Sequence, residues 1–154
     1  MSYSIESITE SIGARRVGGT PAEIDWLLTD SRSLNFPEET LFFALTTKRN
    51  DGARYISDLY ARGVRNFVVS EKSFKQIDNA AMPIANFLVV SNPLKALQKL
   101  AERHRSRFRI PVVGITGSNG KTIVKEWLHQ LLSPERAIVR SPRSYNSQIG
   151  VPLS

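Results

Sequence analysis

The run Pro111-Val112-Val113-Gly114-Ile115-Thr116-Gly117-Ser118-Asn119-Gly120-Lys121-Thr122-Ile123-Val124-Lys125-Glu126-Trp127 decides how the rest of the chain is read. An apolar stretch leads directly into a glycine-rich turn and then into a helical pattern. Residues 111–116 predict a strand, and Ile123, Val124, Trp127, Leu128, Leu131 and Leu132 recur on one helix face, which makes Trp127 a core residue. Such a turn between strand and helix fits a phosphate-binding loop. Gly117 and Gly120 let the backbone approach phosphate oxygens, and the amides of the first helical turn point at the anion with the helix dipole behind them. In this reading Gly117, Ser118, Asn119, Gly120, Lys121 and Thr122 hold the phosphates of a nucleoside triphosphate. Lys121 and Thr122 are the catalytic candidates: the lysine reaches the β- and γ-phosphates, and the threonine hydroxyl ligates Mg²⁺. A plain glycine turn is the alternative, and the Gly-Lys-Thr at the helix start argues against it. One position departs from the common loop, which has glycine where Ile115 stands; here the glycine is Gly114.

Upstream, Ile5, Ile8 and Ile12 predict a short helix ending at Gly13, and the apolar run Ile24 to Asp30 reads as a strand closed by Thr29-Asp30-Ser31-Arg32. Leu41 to Leu45 after Pro37 is wholly apolar, as a strand covered on both faces would be. Asp51-Gly52 marks a turn, Tyr55, Ile56, Leu59 and Tyr60 form a helical stripe closed by Gly63, and Asn66 to Val69 begins another buried strand. The alternation repeats with a strand at Asn86 to Val90 and a helix from Pro93 to Arg107. Strands and helices in this order predict an α/β fold with a largely parallel sheet, and the basic, proline-terminated segment 107–111 is the candidate domain boundary.

The chain has 154 residues, 41% of them hydrophobic and 23% charged, which is the balance of a globular protein rather than a disordered tail. It has no cysteine and only His104 and His129, so a thiolate or histidine metal centre is not expected. No apolar stretch has the length of a membrane span, and Met1 to Arg16 lacks the pattern of an export signal, so the expectation is a cytoplasmic protein with no membrane partner. A net charge of +7 favours polyanions, whether nucleic acid or phosphorylated metabolites. The densest basic cluster, Lys99, Arg103, Arg105, Arg107 and Arg109, has no aromatic ladder beside it and reads as a solvated helix face, so no nucleic-acid partner is expected.

Thr116-Gly117-Ser118-Asn119-Gly120-Lys121-Thr122 resembles the ATP loop of the Mur ligase family, whose glycine spacing differs from the common loop in the same way as here. Val124-Lys125-Glu126 and the terminal run Tyr145 to Ser154, with its Ile-Gly-Val-Pro, are similar to the branch that joins D-alanyl-D-alanine to UDP-N-acetylmuramoyl tripeptide in peptidoglycan synthesis. Thr29-Asp30-Ser31-Arg32, Leu41 to Leu45 and Asp51-Gly52 resemble the family's N-terminal domain. Two positions depart from the family: Ala53 stands where a histidine is common, and Ser147 replaces the second of two asparagines. A sister branch that adds a different amino acid shares the plan, and a nucleic-acid-dependent P-loop ATPase is the rival from another class.

The resemblance implies that residues 1–108 form a UDP-substrate-binding domain with a connecting helix, and that 109–154 open an ATP-binding central domain. It implies substrate contacts at Thr29, Asp30, Ser31, Arg32, Asn146 and Ser147, and ATP with Mg²⁺ at the loop. The family's carbamylated lysine, its metal-binding groups and its closing domain would follow Ser154. The chain is therefore expected to be a truncated piece that does not turn over and that self-associates through surface left uncovered.

Overall fold

The computed structural model describes residues 2–47, 51–142, 145 and 147–154. The chain opens with β1 (Tyr3–Ser4) and α1 (Ile5–Ile12). The Ser4 hydroxyl caps the helix by accepting from the Ser7 amide at 3.2 Å, and Gly13 ends it in the left-handed conformation at φ 68°. Then come β2 (Arg15–Val17), β3 (Glu23–Ile24), β4 (Trp26–Leu28) and β5 (Thr40–Phe43). After them follow α2 (Ile56–Ala61), β6 (Asn66–Ser70), α3 (Glu71–Phe74), β7 (Asn86–Val90), α4 (Pro93–Ser106) and α5 (Lys121–Leu132).

Five strands form one sheet in the order β2-β7-β6-β5-β4, with β4 through β7 parallel and β2 antiparallel at one edge. The sheet is largely parallel, as the alternation of elements predicts. Side chains alternate across it. Leu41, Phe43, Val68, Leu88 and Val90 point to the face covered by Ile5, Ile8 and Ile12 of α1 and Leu97 and Leu100 of α4. Phe42, Phe67, Val69, Phe87 and Val89 point to the other face, where Ile56 and Leu59 of α2 close a second core. That two-sided burial is why β5, β6 and β7 read as unbroken apolar runs.

Three expectations change. The run from Ile24 to Asp30 is not one strand: β3 pairs antiparallel with β1, whereas β4 pairs parallel with β5. The switch falls at Asp25, where the amides of Asp25 and Trp26 both donate to the Glu39 carbonyl, at 3.0 and 3.2 Å. Residues 111–116 form no strand, since no described strand lies beside them to supply a ladder, and Val112 and Val113 are exposed. Trp127 is not core: it is 62% exposed, because α5 has no layer opposite its apolar stripe among the described residues.

Both cores draw their buried residues from 5–100. From the chain beyond, Ile149 and Leu153 pack against the first core, and the Gln98 side-chain amide reaches the Gln148 carbonyl at 3.4 Å. Leu97 is fully buried at the meeting of α4 and the sheet. Leu97→Ala is expected to lower unfolding free energy by about 2–5 kcal/mol, read from urea denaturation; a change below about 0.5 kcal/mol would show that this packing contributes little.

Candidate functional site

The glycine loop leads into α5 with Gly117 at φ 143° and Gly120 at φ 76°. Both conformations are ones L side chains rarely adopt, so the glycines serve the backbone path. A Cβ on Gly120 or Gly114 would meet nothing within 4 Å, and Gly114 has no unusual φ. Crowding is thus not what glycine relieves at either place. The Lys121 ammonium folds back onto the loop, donating to the Gly117 carbonyl and, at 3.4 Å, to the Ser118 carbonyl. An anion seated over the loop would meet a cation already at its centre and the amide end of a twelve-residue helix. Ser118, Asn119 and Thr122 are exposed around it. Below the loop, Glu126 pairs with Lys125 at 3.2 Å and with Arg140, and Lys125 also donates to the Ser141 carbonyl at 2.9 Å. These contacts hold α5 against residues 140–141.

A second group gathers at the carboxyl ends of the parallel strands, where open α/β sheets place ligands. Thr29 follows β4 directly, and Asp30 caps the single turn Ser31–Ser33 by accepting from the Arg32 amide at 3.0 Å. The Arg32 guanidinium returns onto the same carboxylate, Nε at 2.9 Å from Oδ1 and Nη2 at 2.6 Å from Oδ2. The turn with its local cap is therefore fully formed. Arg62 at the end of α2 donates to the Ser31 carbonyl at 3.0 Å and pairs with Asp58. Tyr55 lies close enough to Arg32 to add to the preference for its charged form, after the larger effect of Asp30.

After β5, Asp51 accepts from the Ala53 amide at 3.0 Å, the Thr46 hydroxyl at 3.2 Å and the Ser73 hydroxyl at 3.4 Å. Gly52 is buried, and a Cβ there would lie 2.8 to 2.9 Å from the backbone of Ala44 and Leu45, so only glycine allows that approach to the end of β5. Thr46, Asp51, Ser70, Ser73, Ser91 and Asn92 line a cleft of about 320 Å³. Of these, sequence reasoning singled out Asp51 alone as part of a motif. The signal was present: Ser70 and Ser91-Asn92 are the first polar residues after apolar strands, the same rule that picked out Thr29 to Arg32.

Asn146 lies outside the described residues. The Ser147 hydroxyl accepts from the Gly150 amide at 2.9 Å and starts the turn that brings Ile149 and Leu153 onto the first core. The predicted site residues thus fall on separate elements: the loop before α5, the turn after β4, and the terminal turn seated on the core.

No family model matches the chain. It is 35% identical over 129 residues to the UDP-N-acetylmuramoyl-tripeptide--D-alanyl-D-alanine ligase of Synechocystis, covering 84% of this chain and 27% of that protein. To the enzyme of the same name from Bacillus subtilis it is 30% identical over 131 residues, 85% of this chain and 27% of that one. A crystal structure of MurF from Acinetobacter baumannii superposes with a TM-score of 0.82 at 26% identity, over 99% of this chain and 32% of its own. By sequence and by fold, the chain belongs with the MurF ligases. It spans roughly a quarter to a third of the length of those MurF relatives. The MurF ligase of Thermotoga maritima, solved in complex with ADP, matches with a TM-score of 0.68 at 29% identity, over 82% of this chain and 27% of that one.

Within this MurF-like frame the electrostatics of the Asp30 turn are well defined. Hydrogen bonds from the Arg32 side chain, and then from its amide, hold the Asp30 carboxyl down at about 2, against an ordinary value of 3.8. The folded value lies below the unfolded one, so the stabilisation is complete above pH 3.8 and is lost as pH falls through about 2. It is small, because both side chains are well exposed. Carboxyl NMR titration is expected to place Asp30 near 2 and, in Arg32→Ala, back toward 3.8; an unchanged midpoint in the variant would remove Arg32 as the cause.

Proposed function

We propose that the chain carries the UDP-substrate-binding part and the opening of the ATP-binding part of a ligase that adds D-alanyl-D-alanine to UDP-N-acetylmuramoyl tripeptide in the cytoplasm. Residues 1–108 are the substrate-binding domain with its connecting helix, and 109–154 open the nucleotide-binding domain. The observation that carries the reading is the glycine loop with Lys121 at its centre and α5 behind it, in a chain related to enzymes of that name. A relative solved with ADP supports nucleotide binding.

In this reading the chemistry moves the γ-phosphoryl group of ATP to the terminal carboxylate of the peptide, and the incoming amine displaces phosphate from that acyl phosphate. Gly117, Ser118, Asn119 and Gly120 present backbone to the phosphates, and Lys121 leaves its carbonyl partners to stabilise charge on the transferring group. The described residues contain no group of three acidic or histidine side chains able to hold a metal. Within these residues the Thr122 hydroxyl would ligate Mg²⁺ beside the nucleotide's own oxygens, the hard donors that ion takes, and the ion would supply charge neutralisation. Thr29, Asp30, Ser31 and Arg32 take the UDP end, supported by their place at the carboxyl edge of the parallel sheet, the edge at which the cleft also opens. Asn146 and Ser147 contact substrate or the γ-phosphate.

Calorimetric titration with UDP-N-acetylmuramoyl tripeptide is expected to show binding that Arg32→Ala weakens about 10- to 100-fold, the effect of losing a charge-assisted hydrogen bond. Lys121→Ala should leave that binding intact and remove any heat with Mg-ATP. Phosphate release dependent on the tripeptide and D-alanyl-D-alanine is expected to be absent from residues 1–154 alone. If neither UDP nor the tripeptide substrate binds, the substrate-domain assignment fails.

We also propose that these 154 residues self-associate through the apolar face of α5, where Ile123, Trp127 and Leu131 are each more than half exposed. Sedimentation is expected to show a concentration-dependent mass that Trp127→Ser reduces; a monomer at every concentration would count against it.

A further inference from the structure

The basic cluster at the end of α4, which the proposed function leaves without a role, is organised around the chain's own backbone. Arg105 extends past the helix end, with Nη1 donating to the Phe108 carbonyl at 2.6 Å and Nη2 to the Ile110 carbonyl at 2.9 Å. One planar guanidinium therefore bridges two carbonyls of the segment that leaves the helix, a fork that a lysine ammonium cannot reproduce. His104, one residue earlier, stacks edge-on with Phe108 at 5.1 Å between centroids, and its Nδ1 shares a hydrogen bond of 2.7 Å with the Tyr3 hydroxyl. Arg107 lies over the Tyr3 ring at 5.1 Å. Tyr3 belongs to β1, paired with β3, so the cluster ties the connector to the first strand of the chain as well as to α4.

We propose that Arg105, with Tyr3 and His104, clasps residues 108–110, making the connector between α4 and the glycine loop a fixed strut rather than a free linker. Arg105 is then a positioning residue: it sets the direction in which α4 hands the chain on. Arg105 and Arg107 serve intramolecular contacts, which reduces the basic surface open to an external polyanion. The inference stands on contacts within the chain and does not depend on the ligase reading.

The test is limited trypsin digestion of the chain, with mass spectrometry following cleavage after Arg107 and after Arg109. Arg105→Lys keeps both the charge and its own trypsin site but loses the fork, so cleavage at the two later sites should be about tenfold faster. Tyr3→Phe, which removes only the hydroxyl, should accelerate them by a smaller factor. Arg103→Lys, two residues back on the same helix, should leave the rates at the wild-type level, and the urea midpoint of all three variants should match wild type. Equal rates in Arg105→Lys and wild type, or the same acceleration in Arg103→Lys, would overturn the clasp.

Discussion

The parallel pairing of β4 through β7 fixes where everything else in the chain falls. Strands that run the same way release their loops at the same edge, so the turn at Asp30, the Asp51–Gly52 turn, Ser70 and Asn92 all emerge together at the carboxyl ends. At the opposite edge the register is held by a buried polar pair. Asn66 and Asn86 face each other as the first residues of β6 and β7, and the Asn86 amide donates to the Asn66 oxygen at 2.8 Å. Arg16, from the antiparallel edge strand, donates to Asn86 at 2.9 Å and to Glu6 at 2.6 Å. A one-residue slip of β6 against β7 would break this network and send Phe67, Val68 and Leu88 to the wrong faces. The site edge is therefore level because the other end is pinned.

What could be read from residues alone follows from whether an element's partner is local. The stripe of Ile5, Ile8 and Ile12 with its end at Gly13, the helix begun by Pro93 and the apolar runs of β5, β6 and β7 each carry their own periodicity or end signals, and each forms where expected. The break at Asp25 was not legible, since it depends on the Glu39 carbonyl reached across the sheet edge. Residues 111–116 and the stripe of α5 read as a strand and a core face and form neither, because composition cannot say what will lie opposite. Among the described residues nothing pairs with the former, and no layer covers the latter.

The local geometry of the candidate residues was legible in the same uneven way. The spacing of Gly117, Gly120 and Lys121 predicts the turn into α5, and the polar residues after an apolar run predict the turn at Asp30 to Arg32. Their electrostatics were not readable: Arg32 is held by Asp30, and Lys121 lies on loop carbonyls. Each cation has an intramolecular partner that a phosphate would have to replace or share. Such pairing keeps the side chain near its working position, at the expense of part of the binding free energy it would otherwise give.

The basic character of the chain divides along these lines. A net charge of +7 suggests an open field for any polyanion, but Arg16, Arg32, Arg62, Arg105 and Arg140 each make a described hydrogen bond to a carboxylate, an amide or a backbone carbonyl. Arginine suits such positions because its fork satisfies two acceptors in one plane while remaining charged. Charge placed this way acts on backbone carbonyls that turns and helix ends leave unsatisfied, at the Ser31 turn and the exit of α4, and on the Asn86 side chain at the start of β7. On the proposed function, selectivity for a ligand would rest on the few cations at the carboxyl edge and the glycine loop, and the total says little about which polyanion the chain meets.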